Sequence, residues 1–215
     1  MDALAVIQAS LAAGHEAKDA FAAESSGKLI ELAELIAKTF RSGGKLLIFG
    51  NGGSAADAQH VAAEFVNRFL INRAPLPAVA LTTDTSIITA VGNDFSYELI
   101  FVKQVQALGR PGDLALGIST SGTSANVVKA LAVAKELGLI TAALSGGLSI
   151  PPQGVAQYSD LLLNVPSNST PRIQETHLWI EHLLCELVET MLFGRKPHTG
   201  SAAICQSRCA AKVIR

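Results

Sequence analysis

The sequence predicts a parallel α/β fold, five strands in one sheet with helices on both faces, and three features carry that reading. Five short apolar runs, each bounded by Gly, Pro or polar residues, have the length and continuity of strands buried on both sides. Most stretches between them repeat apolar residues at three and four, the period of a helix that lays one face on a core. Two of the runs pass into Gly/Ser-rich turns that open helices, and parallel sheets bind ligands at such strand C-termini. A chain of 215 residues, 49% apolar and 16% charged, is long enough to bury a substantial core in one domain.

In chain order, residues 3–23 and 27–41 read as two Ala-rich helices. Lys45 to Phe49 (KLLIF), between Gly43-Gly44 and Gly50, is the first strand. A helix from about Ser54 to Phe69 follows, with Ser54 as its expected N-cap. Ala78 to Leu81, after Pro75 and Pro77, is the second strand. Polar residues then lead through Gly92-Asn93-Asp94 to a helix near 97–108. Leu114 to Ile118 is the third strand and runs into STSGTS, Ser119 to Ser124, with a helix from about Ala125 to Leu137. Thr141 to Leu144 and Leu161 to Val165 complete the sheet, separated by a Gly/Pro loop at 146–154. Arg172 to Leu192 is a long helix whose apolar stripe runs through Ile173, Ile180, Leu184 and Val188. The periodicity stops at Gly194. One domain over 1–193 and a flexible basic tail over 194–215 are expected.

Composition narrows the function. A net charge of −1 argues against a nucleic-acid footprint, which needs clustered Lys and Arg, and 5% aromatics weakens base stacking. No apolar run approaches 18 residues and no secretory leader opens the chain, so a soluble cytoplasmic protein without a membrane segment is expected. Cys185 lies in an apolar helical pattern and reads as a buried free thiol. Cys205 and Cys209 fall in the tail and give neither a disulfide framework nor a zinc pattern.

Two motifs carry chemistry. In GNGGSAADAQHVAAE, Gly50 to Glu64, small residues let backbone N–H groups and a helix N-terminus approach a phosphate. His60 and Glu64, four apart, share one helical face, with Asp57 and Arg68 on the same side. In STSGTS, the hydroxyls of Ser119, Thr120, Ser121 and Ser124 gather where a strand meets a helix N-terminus, and hydroxyls donate to phosphate without adding charge. Gly50, Gly52 and Ala55 also fit a dinucleotide pattern, with Asp84 as a possible ribose acid. That match is weak, and the Ser-rich loop suits a monophosphate better. In the last helix Gln174, His177, Glu181, His182 and Glu186 are all candidates. His177/Glu181 and His182/Glu186 are both i,i+4 pairs, and spacing does not choose between them. Together the motifs point to an enzyme acting on a phosphorylated small molecule.

GNGGSAADAQHVAAE, VGNDF, GISTSGTSANV and RIQETHLWIEH, in that order, resemble a sugar isomerase (SIS) domain and more narrowly the phosphoheptose isomerases, over about residues 1–193. The resemblance implies an SIS-type three-layer sandwich, flavodoxin-like and doubly wound, with added N-terminal helices. It implies isomerisation of sedoheptulose 7-phosphate to D-glycero-D-manno-heptose 7-phosphate through an enediol, the first step toward the ADP-heptose of lipopolysaccharide core. It also implies one zinc per subunit on His60, Glu64, Gln174 and His182, and a homotetramer with sites shared between subunits. Glu64 would be the base and His182 the acid. Substrate would be held by Asn51, Gly52, Gly53, Glu64, Asn93, Asp94, Ser119, Thr120, Ser121, Ser124 and Gln174. Pro171 departs from the pattern, since some family members carry an acid there; if that acid orients the proton shuttle, this chain would be slower or use Asp94 instead. The competing expectation is a non-catalytic SIS binding module resembling a DnaA initiator-associating protein. Such a module lacks the Glu and last-helix His that this chain keeps.

Overall fold

The computed structural model describes residues 2–194, so the expected tail lies outside them except for Gly194, which ends the last helix. The order is α1 (Ala3–Arg41), β1 (Leu46–Gly50), α2 (Gly53–Val66), β2 (Ala78–Ala80), α3 (Thr85–Asp94), a 3-10 turn (Tyr97–Leu99), α4 (Ile100–Leu108), β3 (Leu114–Ser119), α5 (Ala125–Glu136), β4 (Ile140–Gly146), α6 (Val155–Tyr158), β5 (Leu161–Val165) and α7 (Thr170–Phe193).

The sheet is parallel throughout, in the order β2-β1-β3-β4-β5. Alternate side chains of each strand enter opposite cores, because the pleat has period two. Leu46 and Ile48, with Leu114 and Leu116, pack under α1, α2 and α7 around Phe21, Ile36, Phe65 and Ile180. Leu47 and Phe49, with Ala115 and Ala143, face α4 and α5 around Phe101, Val105, Val127 and Leu131. Each fully buried Leu, Ile or Phe contributes about 1.5–3 kcal/mol relative to exposure. Two covered faces explain why the strands read as unbroken apolar runs.

Four details differ from the sequence reading. The two N-terminal helices are one, capped by Asp2, whose Oδ1 accepts from the N–H groups of Leu4 and Ala5. The helix continues through Ser25 and Ser26 because Ser25 is buried on the packing face and the Ser26 hydroxyl donates to the Ala22 carbonyl, 2.5 Å away. Helix α3 was not foreseen: none of its residues is fully buried and only Ile88 and Val91 pack partly on the core, so its apolar period is faint. Asp84 caps it, accepting from Ile87 N–H at 2.9 Å, which is a structural duty rather than a ribose contact. The N-cap of α2 is Gly52, not Ser54, which is buried in the first turn. Finally, α7 starts at Thr170, with Pro171 in its first turn where a missing N–H costs nothing.

Candidate active site

The strand order reverses between β1 and β3, and a crevice outside the carboxyl ends of such strands is where open α/β sheets bind ligands. The two Gly/Ser-rich turns leave those two ends side by side, with Gly50 paired to Ile118. At the first turn Gly52 has φ 58° and ψ −119°, a conformation that disfavours any side chain, and it caps α2 without a side-chain bond. A Cβ on Gly53 would stand 2.5 Å from Nε2 of Gln174, so glycine here makes room for that amide to lie on the turn. At the second turn Ser124 is the N-cap residue of α5, but its hydroxyl is 2.9 Å from the Ser119 hydroxyl and makes no cap bond to the helix. Two helix N-termini therefore face one crevice, although Ser54 and Ala55 N–H already donate to the Asn51 and Gly52 carbonyls and Val127 N–H to Asn126 Oδ1. Ser121 Oγ accepts from the N–H and hydroxyl of Thr123, which fixes the loop between them.

A reciprocal amide pair joins the two turns. Asn51 Nδ2 donates to Asn126 Oδ1 and Asn126 Nδ2 to Asn51 Oδ1, both at 2.8 Å. The Tyr97 hydroxyl also donates to Asn51 Oδ1, at 3.0 Å, bringing the segment that follows α3 to the same rim. Asn93 and Asp94 end α3 just before it, exposed, with Asn93 Nδ2 donating to Asp94 Oδ1. A cavity of ≈ 270 Å³ opens beside the second turn, lined by Thr120, Ser121, Gly147, Ser167, Asn168 and Thr170.

The second half of the site lies between α2 and α7. Nε2 of His60 and Nε2 of His182 are 2.8 Å apart, so one ring donates to the lone pair of the other. Glu64 Oε1 is 3.9 Å from the same His60 nitrogen, and both side chains are part-exposed. Phe69 stacks on His182 with ring centroids 5.6 Å apart. Two imidazole nitrogens and a carboxylate oxygen facing one another are donor types that zinc takes. As arranged, among the described residues no three His, Cys, Asp or Glu side chains enclose a common point closely enough to grip an ion.

The other pair in the last helix faces inward. His177 is fully buried, with Nε2 3.0 Å from the Ser145 carbonyl, and burial lowers its pKa to about 4 against the opposing pull of that bond. Glu181 is also fully buried, with no hydrogen-bond partner for either oxygen. Burial first, and the nearby Asp57 second, push its pKa up to about 8, which keeps it a neutral acid at pH 7. Asp57 is itself raised by burial, offset in part by His60. Packing thus separates what spacing left open: His182 meets His60 between α2 and α7, and His177 lies in the core.

The SIS domain family model matches residues 11–146. The chain is 54% identical to the phosphoheptose isomerase of a Roseiflexus species over 77% of its length and 82% of the relative's. It is 53% identical to that of Thermodesulfovibrio yellowstonii, over 82% and 86%. The chain belongs to the phosphoheptose isomerase family. Solved phosphoheptose isomerases from Neisseria gonorrhoeae (TM-score 0.80, 42% identity, 87% and 98% covered) and Francisella tularensis (0.83, 38%, 88% and 100%) share its fold.

Within this phosphoheptose isomerase fold, the residues expected at the site fall into three groups, with Asn93 and Asp94 apart from them at the exposed end of α3. Asn51, Gly52, Gly53 and Gln174 meet at the first turn, and Ser119, Thr120, Ser121 and Ser124 form the second. His60, Glu64 and His182 meet between α2 and α7 of a single chain, with no second subunit needed to join them. Gln174 lies at the Gly53 end of α2, away from the His60–His182 contact. Sequence reasoning passed over Asn126, Tyr97, Thr123 and Phe69. Asn126 and Thr123 were inside a quoted motif. Tyr97 and Phe69 had no local signal, because their roles arise only from tertiary contact. A larger cavity of ≈ 490 Å³, between α1 and the start of α7 near Ser10, Glu16 and Arg172, contains none of the residues expected at the site.

Proposed function

We propose that this isomerase converts sedoheptulose 7-phosphate to D-glycero-D-manno-heptose 7-phosphate. The observation that carries the reading is the His60–His182 contact with Glu64 3.9 Å from the same His60 nitrogen, on the helix whose first turn opens at the Gly-rich loop. The N-termini of α2 and α5 and the hydroxyls of Ser119, Ser121 and Ser124 hold the phosphate, while Asn51, Asn93, Asp94 and Gln174 orient the sugar. Glu64 takes a proton from the carbon beside the ketone and returns it to the neighbouring carbon. His182 moves the proton between carbonyl and hydroxyl oxygens, giving the enediol and then the aldose.

Zinc, one per subunit, is part of this proposal, with His60, Glu64 and His182 as its holders and Gln174 joining them once its amide leaves the Gly53 turn. When bound it would polarise the substrate oxygens as a Lewis acid. The pathway reading is the first step toward ADP-heptose for lipopolysaccharide core, in the cytoplasm. A homotetramer with shared sites belongs to this proposal, and the exposed apolar residues at the start of α1, Leu4 61%, Ile7 64% and Leu11 59%, support contacts between copies. Among the described residues no helix is long and apolar enough to cross a membrane. A non-catalytic binding module is not favoured, since it has no use for Glu64 and His182 aimed at one centre.

The test follows conversion of sedoheptulose 7-phosphate by NMR, with and without chelator, in the native protein and in Glu64→Gln. Turnover that falls on chelation, returns with zinc and drops by roughly 10²-fold or more in the variant is expected. Full activity in Glu64→Gln would remove the proposed base.

A further inference from the structure

Seven residues beyond His182, two turns along α7, the Glu189 carboxylate is buried and collects four N–H donors. Its oxygens accept from Phe69 N–H at 2.9 Å, Leu70 N–H at 2.9 Å, Ile71 N–H at 3.1 Å and Arg73 Nε at 2.8 Å. Both charged side chains are only 2% exposed. The N–H groups and Arg73 outweigh the cost of burial and hold this carboxyl below its usual range. The same guanidinium reaches the other way. Its Nη2 donates to the Glu64 carbonyl at 2.8 Å and Nη1 to the Phe65 carbonyl at 2.7 Å, two acceptors in the last turn of α2. The backbone that Glu189 grips also carries Phe69, whose ring lies on His182 at an interplanar angle of 19°.

One carboxylate on α7 thus fixes both sides of the catalytic gap. Through Arg73 it holds the end of α2 at Glu64, and through the 69–71 backbone it presses a flat ring on His182. We infer that Glu189, Arg73 and Phe69 are positioning residues that set Glu64 and His182 at their working separation. None of them need touch substrate. The inference rests on the isomerase reading for its kinetic consequence and on geometry alone for its structural one. A buried ion pair broken at one end destabilises a fold by about 3–5 kcal/mol, so substitution of Glu189 or Arg73 alone conflates positioning with folding. Phe69→Leu keeps the ion pair and most of the apolar volume while removing the flat ring.

The experiment compares the full-length chain with Phe69→Leu and Glu189→Gln. It records kcat and KM for sedoheptulose 7-phosphate, the thermal midpoint, and the ring-proton NMR resonances of His182. Phe69→Leu is expected to lower kcat roughly tenfold to a hundredfold with KM within about twofold, because small misplacements at a reacting centre cost that much. Its His182 resonances should shift with a nearly unchanged midpoint. Glu189→Gln should reproduce both effects with a lowered midpoint. Unchanged His182 resonances and unchanged kcat in Phe69→Leu would overturn the inference. So would a rise in KM with kcat intact, which belongs to a lost substrate contact. A native protein that shows no isomerisation would defeat the activity reading instead, and the His182 resonances of Glu189→Gln, which keeps the Phe69 ring and its ring current, would still decide the clamp.

Discussion

Single residues here owe their roles to burial as much as to chemical type. His177 and His182 sit in one helix five positions apart, and only packing separates a core imidazole from a site imidazole. That separation has a pH consequence. His177 titrates near 4 in the fold against an ordinary 6.5, so its contribution is complete above about pH 6.5. Below that the unfolded chain takes up a proton that the folded chain refuses, and stability is lost as pH falls toward 4, by about 3 kcal/mol in all. Glu181 works in the opposite sense: its raised pKa removes stability as pH climbs from about 4.5 toward 8. His177→Gln keeps an N–H for the Ser145 carbonyl and should flatten the acid-side loss. Calorimetric midpoints at pH 7 and pH 4.5 check this, and an equal fall in both proteins would refute it. The residue types of the site were legible because His60, Glu64 and the Ser/Gly turns are local in sequence. The choice of His182 was legible only through family resemblance, and the partners Tyr97 and Phe69 were invisible because nothing near them in the chain marks what they touch.

At the scale of elements, the sheet was plain in the sequence because the inner strands β1, β3 and β4 are covered on both faces and read as unbroken apolar runs, while the edge strand β2 leaves Val79 exposed. Helix α3 was missed for the converse reason, since it lies on the surface with no fully buried residue. The elements proposed to hold the phosphate are the first turns of α2 and α5, and Asn51 and Asn126 tie them together by bonding each other. At Gly53 the Gln174 amide of α7 lies directly on the first turn of α2. Gly53→Ala should force the Gln174 amide off the turn, since its Nε2 would lie 2.5 Å from the new methyl. A raised KM with a thermal midpoint within about 1–2 °C is expected, because the far end of a flexible side chain moves at little cost to the fold. An unchanged KM would show that the position of Gln174 on this turn is irrelevant to substrate binding.

The whole molecule has two cores of different breadth on either side of one sheet, and the one under α1, α2 and α7 carries the His/Glu half of the site. Its outermost member, α1, begins with more than a turn of side chains that the rest of the chain leaves in solvent. Leu4, Ile7 and Leu11 recur at helical spacing there, and none belongs to either core. Changing all three to Ser should reduce the molecular mass seen in light scattering to that of one chain. An oligomer that survives the triple change would place the contacts between copies elsewhere.

Because α1 is one unbroken helix, its free end and its packed end move as a single rod. Arg172, in the first turn of α7, donates to both the carbonyl and the hydroxyl of Ser10, 2.5 Å from each, within a turn of Leu11. Two residues further along α7 is Gln174 and ten further is His182. Whatever grips the apolar tip therefore pulls on the helix that carries Gln174 and His182. Specific activity should then depend on dilution: turnover per chain falls as copies separate, with a midpoint at the concentration where light scattering records half the assembly.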